Sequence, residues 1–344
     1  MKALAALFVI AVCVLAGCQQ TSSPPPPGFT FNRGERFLAA GSPKSAIPFL
    51  TQTVASTPDG PEPVALLSLA YALDLQPDRA ILQARLVKRP PGAERGWEFV
   101  AVGIAKMTQH LPDDAITLLK PVAAENPSFN PVALSARQWL TLAQILGNDR
   151  DGAQLTLVDM SHVDSMKSSA LLWTTLIHEE RGHRDLATTA LSQAASAACT
   201  ESGRMALASG SLESADLQTQ YDAAIAALAK GDLARATDLF DRVRDRDADS
   251  GDTTIWLALI SGVRENWQAC RNNLLGACEK GPEESRGLAS QLFSVICAME
   301  DRPDAMVQYT LLGQRLMSRN GGVSSSYIQE PAKDDPVWPV PREH

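Results

Sequence analysis

FNRGERFLAAGSPKSAIPFLTQTVASTP, Phe31 to Pro58, is the stretch whose reading decides the fold. Two apolar-periodic segments flank Gly41-Ser42-Pro43, a cluster that breaks helices and turns the chain. Gly34 and Phe37 sit on the first segment, Ala46 and Leu50 on the second, and Pro58 closes it. A helix, a tight turn and a second helix follow from that punctuation.

The same punctuation recurs. The small residue opening each second helix falls at Ala46, Ala80, Ala115, Ala153, Ala187, Ala236, Cys270 and Ala305. The steps between them are 34, 35, 38, 34, 49, 34 and 35 residues. Five of the seven lie at 34 or 35, and a fixed period of that size is the signature of stacked helical hairpins.

The stretch AKGDLARATDLFDRV, Ala229 to Val243, repeats the pattern most fully, and Ser68, Tyr71 and Ala80 fill the equivalent slots of the second unit. On these residues the chain resembles tetratricopeptide repeat proteins. The resemblance covers about Phe29 to Met317 in eight units and implies an all-α solenoid. In the seventh unit Trp256 lies two positions late for the usual aromatic slot. Small residues would let the two axes of a hairpin approach, large ones would fill the grooves beside them, and neighbours must stack because one hairpin cannot bury its own apolar face.

The long step between Ala187 and Ala236 holds an excess of 15 residues, in the Gly/Ser-rich stretch from Thr200 to Asp216. This reads as a linker or extra segment (200–216) between an N-terminal block (29–199) and a C-terminal block (217–318). The last residues, 319–344, are rich in proline and lack helical period, as a tail does.

The N-terminus carries a different message. Lys2 precedes an uncharged run from Ala3 to Gly17, too short to span a bilayer and ended by small residues, which describes a secretory signal over 1–17. Leu15-Ala16-Gly17-Cys18 resembles the lipobox of bacterial lipoproteins. That resemblance implies cleavage before Cys18, lipidation of its sulfur and acylation of its amine with palmitate-like chains. Several acyl chains hold a bilayer stably where one does not. Gln19 after the cysteine resembles default sorting to the outer membrane, facing the periplasm. Residues 18–28, with Pro24 to Pro27, form a polyproline spacer.

Composition narrows the functions. A net charge of −8 argues against nucleic acid as a partner. Of six cysteines, Cys199, Cys270, Cys278 and Cys297 remain after Cys13 leaves with the signal and Cys18 takes lipid. In an antiparallel pair folded about residues 282–285, Cys270 and Cys297 come level, and an oxidising compartment would favour their disulfide.

Catalytic motifs are lacking. His178-Glu179-Glu180-Arg181-Gly182-His183 misses the zinc-protease pattern, because its histidines are five apart and diverge by about 140° around a helix. Asp113-Asp114 and Glu283-Glu284 suit helix N-termini. No metal or cofactor is expected, and no enzyme activity.

The resemblance also implies a concave groove lined by first helices. Its candidate residues are Ala65 and Leu69, Val100 and Ile104, Leu172 and Leu176, Tyr221 and Ile225, and Ile255 and Leu259. Each pair is four apart, on one helical face. Either the groove is open to an apolar partner segment, centred near 200–216, or winding of the chain buries it. The function expected is a membrane-anchored scaffold or adaptor for protein partners in an envelope assembly or secretion machine. The alternatives are an enzyme or enzyme regulator acting on cell-wall polymer, and a periplasmic peptide-binding module.

Overall fold

Eight hairpin turns, each marked by one residue with left-handed backbone, set the architecture in this computed structural model. It describes residues 27–89, 96–126, 132–163, 166–210, 212, 215–247 and 250–320. The expected signal over 1–17, Cys18, most of the expected spacer and residues 321–344 lie outside the described residues.

Seventeen helices are described, and no strand among those residues. Eight hairpins are formed by α1 (Pro27–Ala39) with α2 (Pro43–Ser56), α3 (Pro61–Leu73) with α4 (Pro77–Ala84), α5 (Trp97–Thr108) with α6 (Pro112–Ala123), α7 (Val132–Leu146) with α8 (Arg150–Ser161), α9 (Lys167–Glu180) with α10 (Arg184–Ala198), α12 (Leu217–Ala229) with α13 (Leu233–Arg246), α14 (Gly251–Val263) with α15 (Trp267–Lys280), and α16 (Glu283–Met299) with α17 (Pro303–Asn320). The excess residues after the fifth hairpin form one additional helix, α11 (Glu201–Ser209), which packs on α12.

The turn residues are Gly41, Leu75, His110, Asn148, Gly182, Gly231, Glu265 and Asp301, all at positive φ. Every one is followed by the same closure. The next amide donates to a carbonyl five residues back, as Ser42 does to Phe37 and Arg302 to Cys297. This satisfies carbonyls that a helix end would otherwise orphan. Most second helices then start on proline at the first position, as at Pro43, Pro77 and Pro112, or on a side-chain cap, as from Asp149, Asp232 and Asn266, while α10 starts after His183 with neither.

Seven residues before each turn stands a small side chain: Gly34, Ser68, Gly103, Thr141, Thr175, Ala224, Ala258 and Ser294, all buried. A methyl on Gly34 would lie 2.6 Å from Leu50 Cγ, and one on Gly103 2.7 Å from Leu119 Cγ. Close crossing of the two axes therefore leaves no room for a side chain there. Ser68 fits by donating its hydroxyl to the Ala80 carbonyl at 2.8 Å.

Five residues after each turn lies the first packed residue of the second helix, fully buried from Ala46 through Cys270. The eighth unit corrects the sequence reading by one position. Asp301 is the turn, so Met306 takes the buried slot and Ala305 is only partly covered.

The array does not stay open. The last hairpin reaches back across it: α16 packs on α7 and α9, and α17 touches α1, α3 and α5. Those are all first helices, so the chain's own final repeat fills the concave side.

Candidate functional site

The concave groove expected from the sequence is interior in this structure. Ala65, Val100, Ile104 and Leu176 are fully buried, and Leu69, Leu172, Ile225, Ile255 and Leu259 nearly so. Tyr221 alone keeps partial exposure, with its hydroxyl accepting from Trp256 Nε1 at 3.1 Å. An open apolar groove along these ten residues is therefore corrected to a packed core. The physical reason is the winding, which packs each first helix against its neighbours in the array and brings α16 and α17 back onto α1, α3, α5, α7 and α9 as well. Their spacing of four put each pair on one helical face; what that face meets is set by the packing.

A polar seam joins the two halves. Glu179, near the end of α9, places Oε2 3.7 Å from Cys270 Sγ on α15. Its Oε1 is buried without a hydrogen-bond partner. Gly262 on α14 is what makes room, since a methyl there would meet Glu179 Oε2 at 2.0 Å. Burial pushes the Glu179 carboxyl well above the ordinary carboxylate range, opposed by hydrogen bonds at Cys270 and Val263. Beside it Arg184 Nε donates to the Val263 carbonyl at 3.0 Å, capping the end of α14 from the start of α10. Nothing in the sequence marked Glu179 as special; it reads there as one of two glutamates in a charged helix end.

The expected Cys270–Cys297 disulfide is not formed. Both side chains are buried, and neither is in a disulfide. The Cys270 thiol instead meets the Glu179 carboxyl on α9. Burial, then the Glu179 charge, raises the Cys270 thiol well above its usual value. Cys278 is raised to about 12, mainly by burial, with Cys297 nearby adding to the effect.

His178 and His183 do approach, with ring centroids 6.0 Å apart and tilted by 42°. Burial, then His183 and Arg181, lower the His178 value, so its ring is neutral near pH ~7. No third ligand joins them: among the described residues no cluster of three His, Cys, Asp or Glu could hold a metal ion. Between the fourth and fifth turns a polar notch of about 360 Å³ is lined by Asn148, Asp149, Arg150, Asp151, Glu180 and Arg181. Arg150 and Glu180 form a two-pronged ion pair at 2.7 and 2.8 Å across it, and Arg181 meets Asp151 at 2.7 Å. These pairs tie adjacent turns together.

Several exposed apolar side chains lie on second helices, besides Phe29 on α1, Leu111 in a turn and Met205 on α11. Leu82 and Leu86 lie on or just after α4, Leu155 and Val158 on α8, and Leu186 on α10. No described helix is long and apolar enough to cross a membrane.

No protein-family model matches the chain, and no curated protein matches it. Among solved structures, a tetratricopeptide repeat protein from Parabacteroides merdae is similar at 14% identity and a TM-score of 0.39, covering 78% of this chain and 98% of that one. The TPR domain of P58(IPK) is similar at 15% identity and a TM-score of 0.23, covering 93% and 97%. The helical-hairpin architecture rests on this chain's own helices, turns and crossing residues.

Proposed function

We propose that this TPR-like solenoid is a lipid-anchored scaffold of the bacterial cell envelope, holding protein partners of an assembly or secretion machine at the periplasmic face of the outer membrane. The observation that carries the reading is the pairing of a repeat body with the Leu15-Ala16-Gly17-Cys18 sequence. A stack of hairpins offers extended surface for contact, and acyl chains on Cys18 would hold that surface beside a membrane.

Because the final hairpin fills the concave side, partner contact falls to the outer ridge of second helices. Leu155 and Val158 stand there at 70% and 55% exposure, and their burial by a partner would contribute about 1.5–3 kcal/mol each. A filled concave side also disfavours the peptide-binding reading, which needs a channel for an extended segment.

The test is cross-linking in intact cells followed by recovery from solubilised envelope. A discrete cross-linked partner is expected with the natural chain, and its loss with Leu155→Asp and Val158→Asp, both of which should fold normally. Cys18→Ala should move the protein out of the membrane fraction and abolish acyl labelling. Continued labelling would refute the anchor. Changed turnover of cell-wall polymer without any partner would favour the alternative of an enzyme or regulator.

A further inference from the structure

Among the described residues no hairpin precedes the first, so the outer face of α1 is an end of the described array. Terminal repeats usually present polar residues there to stay soluble. This one does not. Four of the chain's nine phenylalanines, Phe29, Phe31, Phe37 and Phe49, lie in this single hairpin. Phe31 and Phe37 pack partly on the core, while Phe29 is 53% exposed.

Phe29, Arg33 and Phe37 are spaced four apart, one stripe along α1. Phe37 stacks on Phe49 of α2, with centroids 5.5 Å apart and planes at 18°. The exposed Arg33 lays its guanidinium over that pair, 4.8 Å from the Phe49 centroid and 6.0 Å from that of Phe37. The hairpin's charged residues are Arg33, Arg36 and Lys44 against Glu35, a local balance of +2 in a chain of −8.

From these observations we propose that the outer face of the first hairpin is a membrane-docking surface for anionic phospholipid. Phe29 enters the interface while Arg33 and Lys44 meet headgroup phosphates. Aromatic rings with a cationic rim suit the boundary between hydrocarbon and water, and cations near an anionic leaflet gain from its potential. The sign of the charge matches the surface, and among the described residues Phe29 is the one exposed large aromatic.

Position supports the same occupant. Nine residues separate Cys18 from Pro27, which span at most roughly 30 Å, so an acylated Cys18 would keep this face within reach of the bilayer. The inference rests in part on the lipid-anchor reading, and its test is built to stand apart from it. A chain beginning at Gln19 keeps every described helix and carries no acyl group.

That chain should co-sediment with mixed phosphatidylglycerol and phosphatidylcholine vesicles, bind less as salt rises, and bind pure phosphatidylcholine weakly. Arg33→Gln should lower the partition coefficient about fivefold and Phe29→Ser about tenfold, with thermal melting unchanged for Phe29→Ser and lowered only slightly for Arg33→Gln, which loses the contact over Phe37 and Phe49. Absence of binding to anionic vesicles would overturn the proposal, whatever acyl labelling of Cys18 shows. So would binding that ignores both substitutions. Dimers in sedimentation that revert to monomers on Phe29→Ser would assign the face to a second copy of the chain instead.

Discussion

Glu179 Oε2 lies 3.7 Å from Cys270 Sγ across a separation of 91 residues, and this contact joins the fifth hairpin to the seventh. Its other oxygen has no partner, so the seam between the two halves contains a carboxyl that prefers to stay protonated.

A pH dependence follows, and its sign is fixed by the raised value. Well below the ordinary carboxylate range, folded and unfolded chains both hold the proton and Glu179 costs nothing. As pH rises through that range the unfolded chain releases the proton while the folded chain keeps it, so stability falls until the folded group ionises too. Glu179→Gln should remove this loss. Urea unfolding at pH ~8 should show the variant more stable by about 1–3 kcal/mol, and the advantage should vanish near pH ~4. Parallel pH profiles for the two proteins would show that the carboxyl is not sheltered.

Closure of the array over its own concave side can be read from two glycines. Gly41 and Gly182 share positive φ, at 65° and 69°, so alanine at either strains the backbone by about 1 kcal/mol. A methyl on Gly41 would also sit 2.7 Å from the Leu311 carbonyl oxygen on α17, whereas one on Gly182 meets nothing. Gly41→Ala should therefore cost about 2–3 kcal/mol and Gly182→Ala about 1 kcal/mol, measured by chemical denaturation. Equal costs would mean that α17 does not press on the first turn.

Leu176→Glu separates a core from a groove. Leu176 is fully buried, so a carboxylate there loses hydration without gaining a partner, a change costing several kcal/mol (roughly 3 or more). The expected result is a large drop in melting temperature or failure to fold. A variant that melts normally would restore the open groove.

The thiols give a chemical readout. Cys270, Cys278 and Cys297 are buried and Cys199 is partly exposed. Of these four, alkylation of the folded chain should modify Cys199 alone, with the other three reacting after denaturation, because reaction needs an accessible thiolate. Non-reducing peptide mapping should recover Cys270 and Cys297 unlinked.

The hairpins, their number and their period were legible in the sequence because each depends on residues within about 35 positions: a small residue where the axes cross, a turn, a proline or polar cap. Where the local signal thinned, precision went with it. Five of the eight turn residues are not glycine, and in the eighth unit the adjacent Ala305 and Met306 are told apart only by the left-handed Asp301 that sets the register. Periodicity also placed Val100 with Ile104 and Leu172 with Leu176 on common faces. It could not say that α16 and α17 also return to the helices that carry them, from more than 100 residues further along the chain. The same holds for the direction of Cys270 and the burial of Glu179. Helices and turns are decided by hydrogen bonds between near neighbours, whereas an open groove, a thiol pair or a sheltered carboxyl is decided by which distant surfaces the winding brings together.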